Sequence, residues 1–261
     1  MLEVQSLVKR YGDVPALRNL TVSVEPGACL VLIGRNGAGK TTALRCMAGV
    51  LQPTSGSVTV DGIDLGVDPD QARSRVGLMP EVPGLYERMS ARAYLDHFGA
   101  IYDLPLADRR RRIEALLELF DLSHAGDRWL GTYSKGMRQK VVLIRASLHR
   151  PRLVLADEPT SALDPDSARR AWAYLEELRA AGASLVICTH SMDEAEHLAG
   201  TIGIMSGGRL LALGSLDDLV ERSGLPPRQE VRRWPRLQDI YLAIVGEHFS
   251  ARDRDEPAAT A

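Results

Sequence analysis

One stretch constrains this chain more than any other: Gly34, Arg35, Asn36, Gly37, Ala38, Gly39, Lys40 and Thr41. It satisfies the spacing G-x-x-x-x-G-K-[ST] at every fixed position. The pattern has meaning only between a strand and a helix, and both flanks fit. Cys29, Leu30, Val31, Leu32 and Ile33 form a short apolar run that reads as a buried strand. Residues 42–48, opening with Thr42, read as a helix stopped by Gly49. In that context glycines let backbone N–H groups turn inward, close to phosphate oxygens. The helix N-terminus adds unpaired donors and the positive end of a dipole. Lys40 then reaches the β- and γ-phosphates, and the Thr41 hydroxyl is placed to ligate Mg²⁺.

The 261 residues fit one large domain or two small ones, and 45% hydrophobic with 25% charged residues is ordinary for a globular chain with a sizeable core. A net charge of −2 gives no overall basic footprint, so nucleic acid is not an expected partner. The three cysteines are too few and too scattered for a disulfide framework or a zinc site; they read as small buried hydrophobes in a reducing compartment. The first residues lack the basic-then-apolar layout of a signal peptide. No apolar run approaches the roughly 18 residues that span a bilayer. The chain is expected to be cytoplasmic, with any membrane role needing a separate partner.

In chain order, residues 2–7 and the alternating Leu20 to Val24 read as strands of a small β-sheet. Tyr11 falls between them, in a loop, where it either stacks on a nucleotide base or packs on its own hairpin. Residues 56–62 form another alternating strand closed by Asp61-Gly62. From about 82 to 150 the texture turns helical: residues 91–101 and 107–120 carry helical spacing, with Ile113, Leu116, Leu117 and Phe120 on one face. This reads as an inserted subdomain. The run of Arg109 to Arg112 within it reads as a solvated helix face. Strands return at 153–157 and 184–189, separated by a helix over 168–181, and Ser191 with Glu194 three residues on has the spacing of a capping box. A hairpin follows around Ser206-Gly207-Gly208. Strands separated by helices imply a mostly parallel sheet with crossover connections, and the glycine loop then lies at its carboxyl edge. A linker at 224–227 leads to a terminal helix over about 234–249 and a disordered end.

Two further groups bear on the same edge. Asp157 ends an apolar strand and Glu158 follows it. Beside a phosphate loop, Asp157 can hold the metal through Thr41 or a water, while Glu158, pointing another way, can polarise an attacking water as general base. His190 ends the next strand and can hydrogen-bond a γ-phosphate or that water. A last motif opens a helix at 133–137, where Ser134 is a good N-cap and Gly136 makes a second helix N-terminus suited to phosphate. By physics alone, a cap and a phosphate site are equally open there.

Assembled in order, these motifs resemble the nucleotide-binding subunit of an ATP-binding-cassette (ABC) transporter over about residues 1–220. The resemblance implies an α/β fold of the ABC type: a phosphate-loop core with a mostly parallel sheet, an N-terminal antiparallel β-subdomain and an inserted helical subdomain. It implies ATP and Mg²⁺ as ligands, and makes Tyr11 the adenine-stacking aromatic. Glu81 falls where the family usually has a glutamine that touches Mg²⁺ and water. Residues 133–137 match the signature usually written Leu-Ser-Gly-Gly-Gln, residues 161–164 the loop that crosses a dimer interface, and His190 the switch histidine. Two domains are then expected to meet head to tail, with ATP on the loop of one capped by Ser134 and Gly136 of the other. A membrane permease is expected to dock around residues 82–88, which places the chain on the inner face of the membrane.

Three departures stand out. Glu81 replaces glutamine, keeping an oxygen ligand but adding negative charge, and Lys135 and Met137 replace glycine and glutamine in the signature. With the sequence Pro80 to Tyr86 and the short terminal helix, they resemble the exporter branch whose ATPase pairs with a separate six-helix permease. An importer ATPase, or a soluble ATPase of this family acting on DNA or ribosomes, are the alternatives. The latter usually carries two cassettes, coiled-coil insertions or zinc cysteines, which are lacking here.

Overall fold

The computed structural model describes residues 1–225 together with 240, 243 and 244. A four-stranded antiparallel sheet has the order β2-β1-β4-β5, built from β1 (Leu2–Tyr11), β2 (Val14–Val24), β4 (Ser55–Val60) and β5 (Ile63–Asp64). A six-stranded sheet has the order β10-β9-β3-β8-β7-β6. Its strands are β3 (Cys29–Ile33), β6 (Val76–Met79), β7 (Leu153–Asp157), β8 (Ser184–Thr189), β9 (Thr201–Ser206) and β10 (Arg209–Gly214). All its pairings are parallel except β9 with β10. Between the strands run α1 (Lys40–Met47), α2 (Pro69–Ser74), α3 (Ala91–Ile101), α4 (Leu106–Leu119), α5 (Lys135–Ser147), α6 (Pro165–Ala180), α7 (Met192–Leu198) and, after β10, α8 (Leu216–Ser223).

The central strands are continuously apolar because both faces of the sheet are covered. Leu30, Leu32, Leu153, Leu155, Val186 and Cys188 pack with α1 and the antiparallel sheet. Their neighbours Val31, Ile33, Val154, Ala156, Leu185 and Ile187 pack into the core that holds α3 to α7. The period of two thus sorts one run of hydrophobes into two layers. Helix α5 approaches β6 so closely that a Cβ on Gly77 would overlap the Ala146 carbonyl.

Register places the site. Ile33 pairs with Thr189, Asp157 with Cys188, and Met79 with Ala156. The chain therefore leaves β3, β8, β7 and β6 along a single edge, so that the glycine loop, His190, Glu158 and Glu81 emerge together.

Some local expectations change. Tyr11 is the last residue of β1, paired with Val14, not a loop residue, because the hairpin turn is confined to Gly12 and Asp13. The arginine run is only in part a solvated face. Arg109 grips Asp96 with two bonds, 2.7 and 3.2 Å, and Arg112 donates to the Ser147 carbonyl at 3.0 Å, since α4 packs across α3 and α5. Gly224 is not linker but the left-handed cap of α8 (φ +63°), whose Ser215–Asp218 pair forms a true capping box. Of the terminal helix expected over 234–249, residues 240, 243 and 244 are helical and Ile240 and Ile244 are buried; the remainder, with the disordered end and Pro226-Pro227, lies outside the described residues.

His149 carries a pH dependence. Its ring stacks on Tyr102 with centroids 3.6 Å apart, and Nε2–H donates to the Val76 carbonyl at 3.2 Å. Nδ1 is shut from water without a partner, and burial pushes the pKa down from 6.5 to about 4. The folded state keeps this ring neutral, while the unfolded chain protonates it below 6.5. Its contribution is therefore complete above pH 6.5 and is lost as pH falls toward 4, by about 2–3 kcal/mol. Urea unfolding across that range should show His149→Phe losing stability less steeply than the parent chain; parallel curves would assign the loss to other groups.

Candidate active site

The loop after β3 is shaped by three glycines with different reasons to be glycine. Gly37 (φ +82°) has open space around it and is needed for its backbone angle. A Cβ on Gly34 would lie 2.5 Å from the Met205 carbonyl oxygen, and one on Gly39 (φ +101°) 2.7 Å from that of Ala16. The loop is thus squeezed between β9 and β2, and Gly208 N–H ties it down through the Ala38 carbonyl at 3.0 Å. Gly39 is also the N-cap of α1, which has neither a side-chain cap nor an acidic residue in its first turn. The first N–H donors of α1 therefore lack helical acceptors and are suited to an anion. Lys40 is 7% exposed, and its Nζ donates to the Gly34 carbonyl at 2.6 Å.

Asp157 closes β7 at 2% exposure. Burial pushes its pKa up, repulsion from Glu81 and Glu158 adds to this, and a hydrogen bond from Thr41 and the Lys40 charge oppose it. Thr41, Asp157 and Glu81 therefore form an all-oxygen donor set with excess negative charge, which suits a hard divalent cation such as Mg²⁺.

Glu158 has a left-handed backbone (φ +52°), uncommon and strained for a residue with a Cβ. Its side chain has partners different from those of Asp157, which is bonded to Thr41. Its N–H donates to the Cys188 carbonyl at 2.8 Å, and its own carbonyl accepts from Gln139 Nε2 at 3.1 Å. Oε1 lies 2.8 Å from His190 Nδ1, and Oε2 accepts from Thr189 Oγ1 at 3.3 Å.

A cleft of about 530 Å³ collects residues 36–42, Glu81, Asp157, Glu158 and His190, with Val14, Pro15 and Ala16 on its other wall. Arg35 lines an adjoining hollow with Asn36, Gly37, Ala38 and His190. Tyr11, Ser134 and Gly136 are not in either lining. Tyr11 stands half-exposed, with the Lys9 ammonium 5.4 Å from its ring centre. Ser134 caps α5 by accepting from Met137 N–H at 3.2 Å, and Gly136 faces the loop at 161–164, where a Cβ would come 2.9 Å from the Ala162 carbonyl oxygen. Sequence reasoning missed Gln139 and Thr189. Each left a faint signal, as a polar residue on the buried face of α5 and a hydroxyl ending an apolar strand.

A family model described as ABC transporter matches residues 17–161, more than half of the chain. The chain belongs to the ABC transporter family. Among its curated relatives, this ABC cassette is 37% identical to the Nod factor export ATP-binding protein I of Cupriavidus pinatubonensis, over 85% of the chain and 68% of that protein. It is 35% identical to the ABC transporter ATP-binding protein NatA of Bacillus subtilis, over 85% and 92%. It is 36% identical to the daunorubicin resistance ATP-binding protein DrrA2 of Streptomyces coeruleorubidus, over 84% and 68%. The solved ATP-binding subunit of an ABC transporter superposes with a TM-score of 0.87 at 32% identity, covering 94% of this chain and 99% of that one. A dimeric structure of MJ0796, a bacterial ABC transporter cassette, gives 0.77 at 25% identity over 83% and 99%. The fold is that of an ABC ATPase, and the family binds and hydrolyses ATP. No helix among the described residues is long and apolar enough to cross a membrane.

Proposed function

We propose that this chain is the ATP-hydrolysing motor subunit of an exporter, working as a head-to-tail pair on a separate membrane permease. The observation that carries this reading is the division of its motifs. Lys40, Asp157, Glu158 and His190 share one edge, while Ser134 and Gly136 of the same chain lie apart from that cleft. The site is completed when a second cassette brings its Ser134 and Gly136 over the bound nucleotide. Met137 contributes its backbone N–H to the Ser134 cap, so the departure from the usual glutamine leaves that cap intact. The export assignment is supported by the names of the relatives, which include a Nod factor exporter and an antibiotic resistance protein.

In the proposed reaction the residues of loop 34–39 and the first N–H groups of α1 receive the phosphates. Lys40 exchanges its bond to the Gly34 carbonyl for the β- and γ-phosphate oxygens. Thr41, Asp157 and Glu81 would hold Mg²⁺, which would supply charge neutralisation on the phosphates. Glu158 accepts the proton of the attacking water, and His190 fixes one of its oxygens while facing the phosphate side. Tyr11 stacks on the adenine. Residues 1–220 would form the motor domain and 221–261 an extension. Within the motor, the exposed Val82 (75%) and Tyr86 (52%) meet the permease on the inner face of the membrane.

The chain co-purified with its six-helix permease and placed in vesicles, cassettes outward, tests this reading. Added ATP and Mg²⁺ should drive substrate into the lumen, and the substrate should stimulate ATP turnover severalfold. ATP-driven loss of substrate from the lumen would make the complex an importer, and absence of any ATPase activity would remove the motor role.

A further inference from the structure

Behind the cleft lies a carboxyl group that the reaction as described does not use. Glu194 on α7 is 1% exposed. Its spacing from Ser191 suggests a capping box, but only half of one forms. Ser191 Oγ accepts from Glu194 N–H at 3.3 Å, while the Glu194 side chain turns inward. There Oε1 accepts from Thr160 Oγ1 at 2.7 Å and from Trp172 Nε1 at 3.2 Å, and the Thr189 hydroxyl lies against the same carboxyl. Burying a carboxylate costs several kcal/mol unless its oxygens are satisfied, so an inward-turned glutamate with three partners is a costly way to begin a seven-residue helix. Burial, with repulsion from Glu158, pushes its pKa up, and the contacts with Thr189, Thr160 and Trp172 pull against that.

The partners belong to different elements. Thr160 follows Glu158 and Pro159 in the loop leading to α6, and Trp172 is on α6 itself. Thr189 is the last residue of β8, beside His190. The Thr189 hydroxyl has one proton, shared between the two carboxyl groups: Oγ1 lies 3.3 Å from Glu158 Oε2, while it accepts from Ser191 N–H at 3.0 Å. Glu194, Thr189, the Glu158 side chain and the backbone through Pro159 to Thr160 therefore close a ring. Inside that ring the strained Glu158 carboxylate is held from one side by Thr189 and from the other by His190 Nδ1 at 2.8 Å.

We propose that Glu194 is a positioning residue for ATP hydrolysis, holding Thr160 and Thr189 so that the Glu158 carboxylate and the His190 ring keep their mutual geometry. Its side chain is buried behind the cleft and is not part of the cleft lining. Trp172, whose ring also lies tilted against that of His197 of α7 with centroids 4.8 Å apart, anchors the device to α6. This inference rests on the reading of Glu158 as the general base.

Steady-state ATPase kinetics of the full-length chain test it. Glu194→Ala should lower kcat by about 10–100-fold while KM for ATP stays within about threefold. Glu194→Gln should stay within about threefold of the parent, because its amide oxygen can accept from Thr160 and Trp172 and its NH₂ can donate to Thr189. In a His190→Ala background, Glu194→Ala should cost less than about threefold more, since the geometry it maintains is already gone. Glutamate serving only as glue between α6 and α7 would lower the melting temperature and leave kcat per folded molecule unchanged, and independent, multiplying effects of the two alanine changes would equally overturn the inference. Should Glu194→Ala fail to fold, Thr160→Val decides. It removes one hydroxyl from the ring at similar volume, with a loss in kcat of about three- to tenfold expected, and full activity overturns the proposal. A Glu158→Gln chain that still turns over ATP would remove the reading underneath, whereas a dead Glu158→Gln beside a fully active Glu194→Ala removes only this inference.

Discussion

Glu158→Gln is expected to bind ATP as the parent chain does, to lose turnover by about 10²–10⁴-fold, and to accumulate as an ATP-bound dimer. Glutamine has nearly the same shape as glutamate and still offers an oxygen to the Thr189 hydroxyl, now 3.3 Å from Oε2. It can also keep the backbone bonds to Cys188 and from Gln139, which do not involve the side chain. What it cannot do is accept a proton from water at neutral pH. Replacing the charge also relieves part of the repulsion that raises Asp157, so affinity for a divalent cation need not suffer. Equilibrium nucleotide binding, single-turnover hydrolysis and size-exclusion chromatography with ATP measure the three parts separately. Turnover near that of the parent would take Glu158 out of the base role, and failure to dimerise with ATP would count against a shared site.

Lys40→Ala is expected to abolish nucleotide binding in the micromolar range, with a loss of at least about 100-fold in affinity, or roughly 3 kcal/mol. The ammonium is 7% exposed and its strong partner within the chain is a carbonyl, Gly34 O at 2.6 Å. Its direct hydrogen bonds are to carbonyls and it feels the carboxylates of the cleft only at longer range, so its free energy is realised on phosphate. The fold should tolerate the change, because Lys40 opens α1, where alanine is a good helix former. Titration with a fluorescent ATP analogue and a melting curve check both halves. Retained affinity would show that the loop backbone alone carries the phosphates.

The two variants act on different links of the same chain of causes, and the sequence shows them with unequal clarity. Lys40 belongs to a contiguous motif whose strand and helix adjoin it, so its setting is encoded within about twenty residues. Glu158 is readable as acidic and at a strand end. Its left-handed backbone (φ +52°) and its contacts with Gln139, Thr189 and His190 come from residues 19, 31 and 32 positions away. The arginine run teaches the same lesson. Charge alone suggests a solvated face, yet α4 lies across α3 and α5, so Arg109 closes on Asp96 and Arg112 on Ser147. Glu194 is the sharpest case. Its spacing from Ser191 predicts a cap, and a local bond does form, but donors from the loop at Thr160 and from Trp172 of α6 draw its carboxyl inward.

By itself the amino-acid sequence determined the central strands, the phosphate cradle, the acidic strand end and the family. These are written in short-range patterns, where neighbouring residues share one element and hydrophobic period reports its burial. Only the tertiary structure decided which of these ends meet. The register of β3, β6, β7 and β8 brings Lys40, Glu81, Glu158 and His190 to one cleft and leaves Ser134 and Gly136 outside it. The physical reason is that pairing of distant strands, and the hydrogen bonds it permits behind the cleft, depend on contacts between residues far apart in the chain, for which no local pattern exists.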